Sequence, residues 1–287
     1  MSRIMLFLAT NFAVVAVLSM VLTVLGFNRP GSNMSSLLIM AAVMGMGGSF
    51  ISLLLSKTMA LRSTGAAVVE QPANAQQQWL VATVRRQADR LGLGMPDVAL
   101  FDSASPNAFA TGSNRDHSLV AVSTGLFEGM NQDEVEAVLG HEMTHVANGD
   151  MVTLTLIQGV LNTFVMVFAS LLAGMLDRGD NRNGGRGIGY YVGYTLAQSL
   201  LGFLASLIVF WFSRRREFRA DAGGANLAGR NKMIAALERL HAAAHAEPLP
   251  GGMAAFGISS GALGGFARLF MTHPLLEERI AALRSAG

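Results

Sequence analysis

The sequence contains no cysteine, and this absence limits the chemistry open to its 287 residues. Disulfide bonds and thiolate metal ligands are excluded, so a transition-metal site would have to use histidine and carboxylate side chains. Charged residues are also scarce, at 14%, whereas 51% are hydrophobic and the mean hydropathy is +0.41. These values predict a membrane protein with a modest water-facing part. The formal net charge of only +2 gives no reason to expect a nucleic-acid partner.

Four long stretches without a charged residue predict helices that cross a lipid bilayer. They comprise residues 4–27, 37–55, 151–176 and 188–212. A helix needs about 20 residues to cross a hydrocarbon core of roughly 30 Å. The first stretch is long for a signal peptide and no clear cleavage site follows it, so we interpret it as an uncleaved anchor. We assign residues 1–55 and 151–212 to two membrane hairpins.

The segments outside these hairpins, residues 56–150 and 213–287, predict a water-facing domain made of two parts. In the first part, residues 63–78 are small and polar, as in a linker, and residues 79–91 have the apolar spacing of a helix. Short strands are predicted at residues 97–101, 107–112 and 118–123. The second part is predicted to be helical except for a glycine-rich loop at residues 248–265. The expected fold class is a mainly α membrane protein with four transmembrane helices and an α+β domain that contains a small β-sheet.

The helix that carries the chemistry is marked at both ends. Asn131 suits the N-cap position, and Glu134, three residues later, completes the pattern of a capping box. Gly149 predicts where the helix stops. Within this helix His141 and His145 are four residues apart, so both imidazoles lie on one face and can bind one metal ion.

Glu142 follows the first of these histidines and is rotated about 100° from it around the helix. It can therefore face a water molecule at the metal without binding the metal itself. Zinc lowers the pKa of such a water toward about 7, and a nearby carboxylate can accept its proton and pass it to the leaving amine. The HExxH pattern at residues 141–145 is typical of zinc proteases. It predicts one Zn²⁺ per chain, with Glu142 as a catalytic residue.

A catalytic zinc site needs a third protein ligand, and Glu217 is the candidate that stands out. Asp221 lies one helical turn later on the same face. Glu217 can therefore bind the metal while Asp221 accepts the N–H of a ligand histidine, His141. Two alternatives stay open. Glu217 could form a weak pair with a neighbouring arginine, or Asp150, just past the HExxH helix, could complete the site.

The chain between the HExxH helix and Glu217 contains one complete hairpin, residues 151–212. Two crossings return the chain to the side of the membrane from which it left. Glu217 can therefore reach the helix that carries His141, whereas a single crossing would have forbidden such a site.

Four segments of the sequence carry a family resemblance. They read PNAFATG at residues 106–112, HEMTHVANGD at 141–150, REFRAD at 216–221 and THPLLEERI at 272–280. In these segments, and over nearly the whole chain, the sequence resembles the HtpX family of bacterial membrane zinc endopeptidases and, more distantly, the type I prenyl-protein CAAX proteases. The resemblance implies a zincin-like metalloprotease domain with His141, His145 and Glu217 as zinc ligands and Glu142 as general base.

The same resemblance implies how the substrate binds and what it is. A substrate strand would add to the sheet edge formed by Asn107, Ala108, Phe109, Ala110, Thr111 and Gly112. Strand addition uses backbone hydrogen bonds, which carry little sequence information, so a broad specificity would follow. The family implies misfolded or damaged membrane proteins and unfolded polypeptides as substrates, in quality control under heat or envelope stress.

His273 is a further catalytic candidate. Pro274 suits the first position of a helix, which would make His273 its N-cap. His273 or Arg279 could stabilise the oxyanion of the transition state. A structural cap and a surface charge are the alternative interpretation of these two residues.

The positive charges near the predicted spans indicate an orientation. On the side of the water-facing domain lie Arg3, Lys57, Arg62, Arg214, Arg215 and Arg216, and on the other side lie Arg29, Arg178, Arg182 and Arg186. Positive residues are enriched on the cytoplasmic side of a membrane. Together with the resemblance, this bias predicts a multi-pass protein of the bacterial inner membrane with its catalytic domain and both termini in the cytoplasm.

Two other functions fit parts of the pattern. An intramembrane metalloprotease also uses HExxH, but within an apolar helix, whereas Asp133, Glu134 and Glu136 precede the motif in this chain. A non-enzymatic membrane adaptor would hold a structural zinc ion with four protein ligands. The sequence offers three convincing ligands, which favours the protease.

Overall fold

The computed structural model describes residues 3–24, 33–177, 187–246, 271 and 273–286, and most of them are helical. The helices are α1 (Arg3–Val24), α2 (Met34–Thr64), α3 (Ala75–Leu91), α4 (Thr124–Gly129), α5 (Gln132–Asn148), α6 (Asp150–Leu176), α7 (Ile188–Ala228), α8 (Arg230–Ala246) and α9 (Leu276–Ser285). The strands are β1 (Ala67–Val68), β2 (Asp97–Phe101), β3 (Ala108–Asn114) and β4 (His117–Ser123). The end of the first predicted span, at residues 25–27, and the loop at 248–265 lie outside the described residues.

The chain folds into two compact units. One comprises Met1–Ser52 and Val152–Val209, and the other comprises Leu53–Met151 and Phe210–Gly287. The apolar helices dominate the first unit, whereas the second contains the sheet, α5 and the C-terminal helices. A mostly helical protein with apolar helices and a small sheet is therefore what the sequence predicted.

Small residues bring two helices of the first unit into close contact. A Cβ atom added to Gly45 in α2 would lie 2.6 Å from Thr163 Oγ1 in α6, and one on Gly159 would lie 2.6 Å from Met46 Sδ. Only glycine allows the two backbones to approach this closely. Such small-residue contacts are typical of helix pairs in membranes.

Among the described residues, the helices long and apolar enough to cross a membrane by length and composition are three: α2, α6 and α7. In α1 the described side chains include only a shorter apolar stretch, Phe12–Val24. The fourth span, predicted at residues 4–27, therefore stays a prediction.

Helix α7 is longer than the apolar segment that predicted it. It has 41 residues, or about 60 Å at 1.5 Å per residue, and continues past residue 212 to Ala228. No proline interrupts the charged residues after 212. The helix stops at Ala228 because the next residue, Gly229, has a positive φ of 113°. Glu217 and Asp221 consequently lie on the same continuous helix as the apolar segment.

The sheet of the second unit has the order β1-β2-β4-β3. Strand β2 pairs with β4 in parallel, and β3 pairs with β4 in antiparallel register, with Ala110 opposite Val120. The three strands predicted from the sequence are confirmed, with small shifts at their ends. Strand β3 is an edge strand and lies beside helix α5.

The caps of helix α5 are those that the sequence predicted. The side chain of Asn131 accepts a hydrogen bond from the Glu134 N–H, and Glu134 in turn accepts from the Asn131 N–H. At the other end Gly149 adopts a left-handed conformation with φ 68°. One side of the helix contributes Val135, Leu139 and other apolar residues to the main core, which also contains residues of α3, β4, α8 and α9.

Two predictions of local structure were wrong. The polar stretch at residues 63–78 is not a plain linker, because it contains β1 and the first turn of α3. Helix α9 begins at Leu276 after Leu275, so His273 is not its N-cap. Pro274 lies before the helix because Leu275, with φ −58° and ψ 138°, is not helical and separates the two.

Candidate metal centre

Three side chains from two helices converge at one point of the second unit. His141 and His145 of α5 have their Nε2 atoms 3.1 Å apart. The carboxylate of Glu217 in α7 lies 3.4 Å from Nε2 of His141 and 3.3 Å from Nε2 of His145, through one oxygen each. All three residues are buried, and they form a group that could hold a metal ion.

The Nδ1 atoms of both histidines face carboxylates on the opposite side of each ring. Asp221 Oδ1 lies 2.9 Å from Nδ1 of His141, and Asp150 Oδ2 lies 2.6 Å from Nδ1 of His145. A carboxylate accepts hydrogen bonds, so each Nδ1 carries the proton. In the neutral imidazoles, both Nε2 lone pairs are then directed at the shared point next to Glu217.

This arrangement fits a bound cation. Two lone pairs and a carboxylate repel one another at these distances unless a positive ion lies among them. Ligands about 2.05 Å from a tetrahedral zinc ion are about 3.3 Å from each other, which is close to the three observed separations. In the described part of the chain, neither oxygen of Glu217 accepts a hydrogen bond of normal geometry, although both are buried. Buried polar atoms rarely stay unpaired, and metal coordination would satisfy them.

The carboxylates around His141 favour its protonated form and raise its pKa. Burial lowers the pKa of this imidazole, but its hydrogen bond with Asp221 and its contact with the Glu217 carboxylate outweigh burial and raise the pKa to about 9. The pKa of His145 is also raised, because Asp150 and Glu217 outweigh its burial. In metal-free protein a proton can therefore take the place of the metal ion.

Glycines allow α7 to reach the HExxH helix. A Cβ on Gly223 would lie 2.3 Å from Thr144 Cγ2, and one on Gly224 would lie 2.9 Å from the backbone nitrogen of His141. Gly140 faces Gly224 at a similarly short distance. The two helix backbones are therefore in direct contact, which brings Glu217 within reach of the imidazoles.

Glu142 is held beside the metal site by the edge strand. Its Oε2 atom accepts a hydrogen bond of 2.9 Å from the backbone N–H of Ala110 in β3. The carboxylate is half-buried and is not among the three ligand groups. It is therefore close to the site yet free of the metal, as a general base must be.

Arg279 is a residue whose main contact the sequence did not reveal. Its Nε and Nη2 atoms donate to the two oxygens of Asp221 at 2.8 and 2.6 Å. Nη1 lies 3.6 Å from Glu217 Oε2, and the residue is buried. Such a two-pronged contact fixes a carboxylate in orientation as well as in charge. Arg279 is therefore not a surface charge, and it braces the group that orients His141.

His273 lies at the rim of the site. Its Nδ1 atom is 3.0 Å from Glu217 Oε2, and 59% of its side chain is exposed. Arg214 donates to the carbonyl oxygen of Met271 at 2.7 Å, which holds this segment near α7. His273 thus has one nitrogen at the ligand carboxylate and an exposed ring that a substrate could contact.

The two alternatives for the third ligand can be judged from these contacts. Glu217 is only 1% exposed, and its nearest arginine nitrogens are 3.6 Å and 3.7 Å away. A weak surface ion pair is therefore not what this residue forms. Asp150 faces Nδ1 of His145 and points away from the shared point, so it does not complete the ligand group.

Together the fold and the ligand group define a metallopeptidase with apolar helices that can cross a membrane. Residues 74–286 match the model of "Peptidase family M48". Over its full length the chain is 58% identical to "Protease HtpX" of Xanthomonas campestris pv. campestris (strain B100), and the match covers 98% of that protein. The identity and both coverages are the same for "Protease HtpX" of Xanthomonas oryzae pv. oryzae (strain MAFF 311018). The chain belongs to peptidase family M48, among the HtpX proteases.

A solved structure shows the same fold. The crystal structure of Ste24p from S. mikatae superposes with a TM-score of 0.61 at 18% sequence identity, over 97% of this chain. The chain spans 63% of the length of that protein. At this level of identity the likeness concerns the fold alone.

Proposed function

We propose that this membrane metalloprotease is a zinc endopeptidase whose metal is held by His141, His145 and Glu217. The main support is that two Nε2 lone pairs and the buried Glu217 carboxylate converge within 3.4 Å of one another. Nitrogen and oxygen ligands in this number suit zinc, and three protein ligands leave a fourth position open for water or substrate. A structural zinc site would be closed by four ligands, so the group of three also favours an enzyme over an adaptor.

The residues around the proposed metal site have different roles in the reaction. A zinc ion in this site would polarise the scissile carbonyl and acidify the attacking water. Glu142 would act as the general base that takes a proton from the attacking water and as the general acid that delivers it to the leaving amine. The Ala110 N–H, at 2.9 Å from Glu142 Oε2, keeps the carboxylate aimed at the site. We assign to the exposed ring of His273 the donation of a hydrogen bond to the developing oxyanion.

The substrate would bind as an added strand along β3. In an antiparallel pair, successive residues direct their backbone groups alternately toward and away from the partner strand. Because Asn107 accepts from Ser123 in β4 and Ala110 donates to Glu142, Ala108 and Ala110 direct their backbone groups toward the free edge. This edge lies next to the proposed general base. A polypeptide would pair with the edge formed by residues 107–112 through its backbone, which suits unfolded chains and misfolded membrane proteins.

The catalytic unit would lie in the cytoplasm, at the inner membrane of a bacterium. Six basic residues near the predicted spans fall on its side and four on the other. Reporter fusions after Gly287 and within residues 178–186 test this orientation. A reporter at Gly287 that is active only in the periplasm would reverse it.

Cleavage by the purified full-length protein tests the proposed activity. The metal-free protein in detergent would be mixed with an unfolded soluble protein or a destabilised membrane protein, with and without Zn²⁺. We expect internal cleavage of both substrates, and of the protease itself, only when zinc is present. Equal cleavage with a chelator present, or none with zinc bound, would contradict the proposal.

A further inference from the structure

Asp150 makes a short polar contact at the metal centre, yet no step of the proposed chemistry uses it. Its Oδ2 atom lies 2.6 Å from Nδ1 of His145, and the residue is 2% exposed. Its place next to His145 mirrors that of Asp221 next to His141. Each imidazole therefore has its own buried carboxylate.

The backbone after the HExxH helix brings Asp150 into this place. On a continuous helix, a residue five positions after His145 would be rotated by about 140° and could not reach its ring. The helix is broken at Gly149, which has φ 68°, and the Gly149 N–H bonds to the carbonyl oxygens of His145 and Val146. A side chain would strain this conformation. The turn redirects the chain, and Asp150 comes back beside His145 as the first residue of α6.

We propose that Asp150 is a positioning residue that fixes the tautomer and the ring orientation of His145 for metal binding. The inference rests on the proposed metal site of His141, His145 and Glu217. A ligand histidine usually donates its second N–H to a carboxylate or a carbonyl, and that partner raises the basicity of the metal-binding nitrogen. Asp150 is not itself a ligand, because it occupies the Nδ1 side of a ring whose Nε2 faces the metal.

A purely structural role for Asp150 is the competing explanation. As the first residue of α6, a negative side chain interacts favourably with the positive end of the helix. Serine is also a good residue at the start of a helix, but its hydroxyl is too short to reach His145. Asp150→Ser therefore separates the two roles, and Asp150→Asn keeps the shape and a hydrogen-bond acceptor while removing the charge.

The test measures zinc affinity and metal geometry in the full-length protein in detergent. Affinities of the wild type, Asp150→Ser, Asp150→Asn and Glu217→Ala would be determined by competition with a chromophoric chelator. Absorption of the Co²⁺-substituted proteins would report the ligand set. We expect Asp150→Ser to bind zinc about 10–100-fold more weakly, Asp150→Asn to lose less, and both to keep the wild-type type of Co²⁺ spectrum. The metal-free Asp150→Ser protein should still be folded at the temperature of the zinc titration, which its thermal unfolding curve checks.

Two results would overturn the inference. Wild-type zinc affinity in Asp150→Ser would leave only a helix-end role. A Co²⁺ spectrum with altered coordination in Asp150→Asn would make Asp150 a ligand. Glu217→Ala distinguishes these results from failure of the proposed function: wild-type zinc binding in that variant would show that the metal site itself is wrong.

Discussion

Helix α5 carries ionisable residues on two of its sides, and these residues have different partners on each side. On the side away from the metal site, Glu136 contacts Lys232 at 2.8 Å and Arg86 at 2.7 Å, and Lys232 also contacts Asp133 at 2.7 Å. These charges are partly exposed and are balanced by other residues of the protein. On the metal side, the buried imidazoles and Glu217 converge on one point, and the nearest arginine nitrogens lie 3.6 Å and 3.7 Å from the Glu217 carboxylate. The ion pairs of Glu136 need no bound ion, whereas the group of His141, His145 and Glu217 fits a cation.

The largest expected difference between the two sides is in catalysis. Glu142→Gln should lower proteolysis by about 10²–10⁴-fold, because an amide cannot take the proton of the attacking water. Zinc binding should stay at the wild-type level. Glu136→Gln, the same change on the same helix, is the matched control and should leave the rate unchanged. Substantial cleavage by a zinc-loaded Glu142→Gln protein would remove Glu142 from the proposed mechanism.

Loss of a ligand should have the next largest effect. Glu217→Ala removes one of the three proposed protein ligands and should weaken zinc binding by more than about 100-fold, beyond the range expected for an orienting residue. The dissociation constant, measured against a chelator of known affinity, checks this. Wild-type affinity in the variant would show that Glu217 does not bind the metal. The difference proposed between the two sides of α5 would then lose its basis.

The metal side of α5 should also make the stability of the metal-free protein depend on pH. Since the pKa of His141 is raised from 6.5 to about 9, its protonated form stabilises the fold fully below pH 6.5, and this contribution is lost as the pH rises through 9. The free energy of unfolding should fall by roughly 3 kcal/mol over this window. Denaturant titrations of metal-free and zinc-saturated protein at several pH values would measure it. A flat profile without zinc would contradict the assignment.

The residues that brace His141 should have intermediate effects. Asp221→Ala should weaken zinc binding by about 10–100-fold, because it orients a ligand without binding the metal. Arg279→Met should act in the same direction, since it removes both hydrogen bonds to Asp221. Zinc affinity decides between this role and a direct contact with the oxyanion. An Arg279→Met protein with unchanged affinity but a reduced turnover rate would favour the latter.

The smallest effect is expected on the other side of α5. Glu136→Gln removes partly exposed ion pairs with Arg86 and Lys232, which contribute about 0–1 kcal/mol in such positions. The change in the free energy of unfolding, measured with zinc bound, should stay within that range. A loss of several kcal/mol would show that this cluster is as critical to the fold as the metal centre.

Sequence reasoning was most reliable where the determining interactions are local. The capping of α5 depends on Asn131, Glu134 and Gly149, which contact groups only a few residues away. The i, i+4 spacing of His141 and His145 likewise follows from helix geometry alone. Such features could be predicted because no distant residue decides them.

The features that sequence reasoning missed depend on contacts between distant segments. Arg279 meets Asp221 across 58 residues, and nothing in its neighbourhood distinguishes it from a surface arginine. The role of Asp150 depends on a left-handed turn at Gly149, which was recognised only as a helix stop. The short strand β1 exists because β2 offers it a partner. A signal for Asp150 was nevertheless present, since an acidic residue directly followed the glycine stop.

The position of Arg279 along the chain has a consequence during synthesis. The ribosome makes the HExxH helix, Glu217 and Asp221 before it makes α9, so the nascent chain carries the three proposed metal ligands while the arginine that holds Asp221 is still missing. The final arrangement of the site can form only after α9 has been translated and has packed against α8. Translation therefore produces a chain that has the proposed metal ligands before it produces the arginine that fixes Asp221.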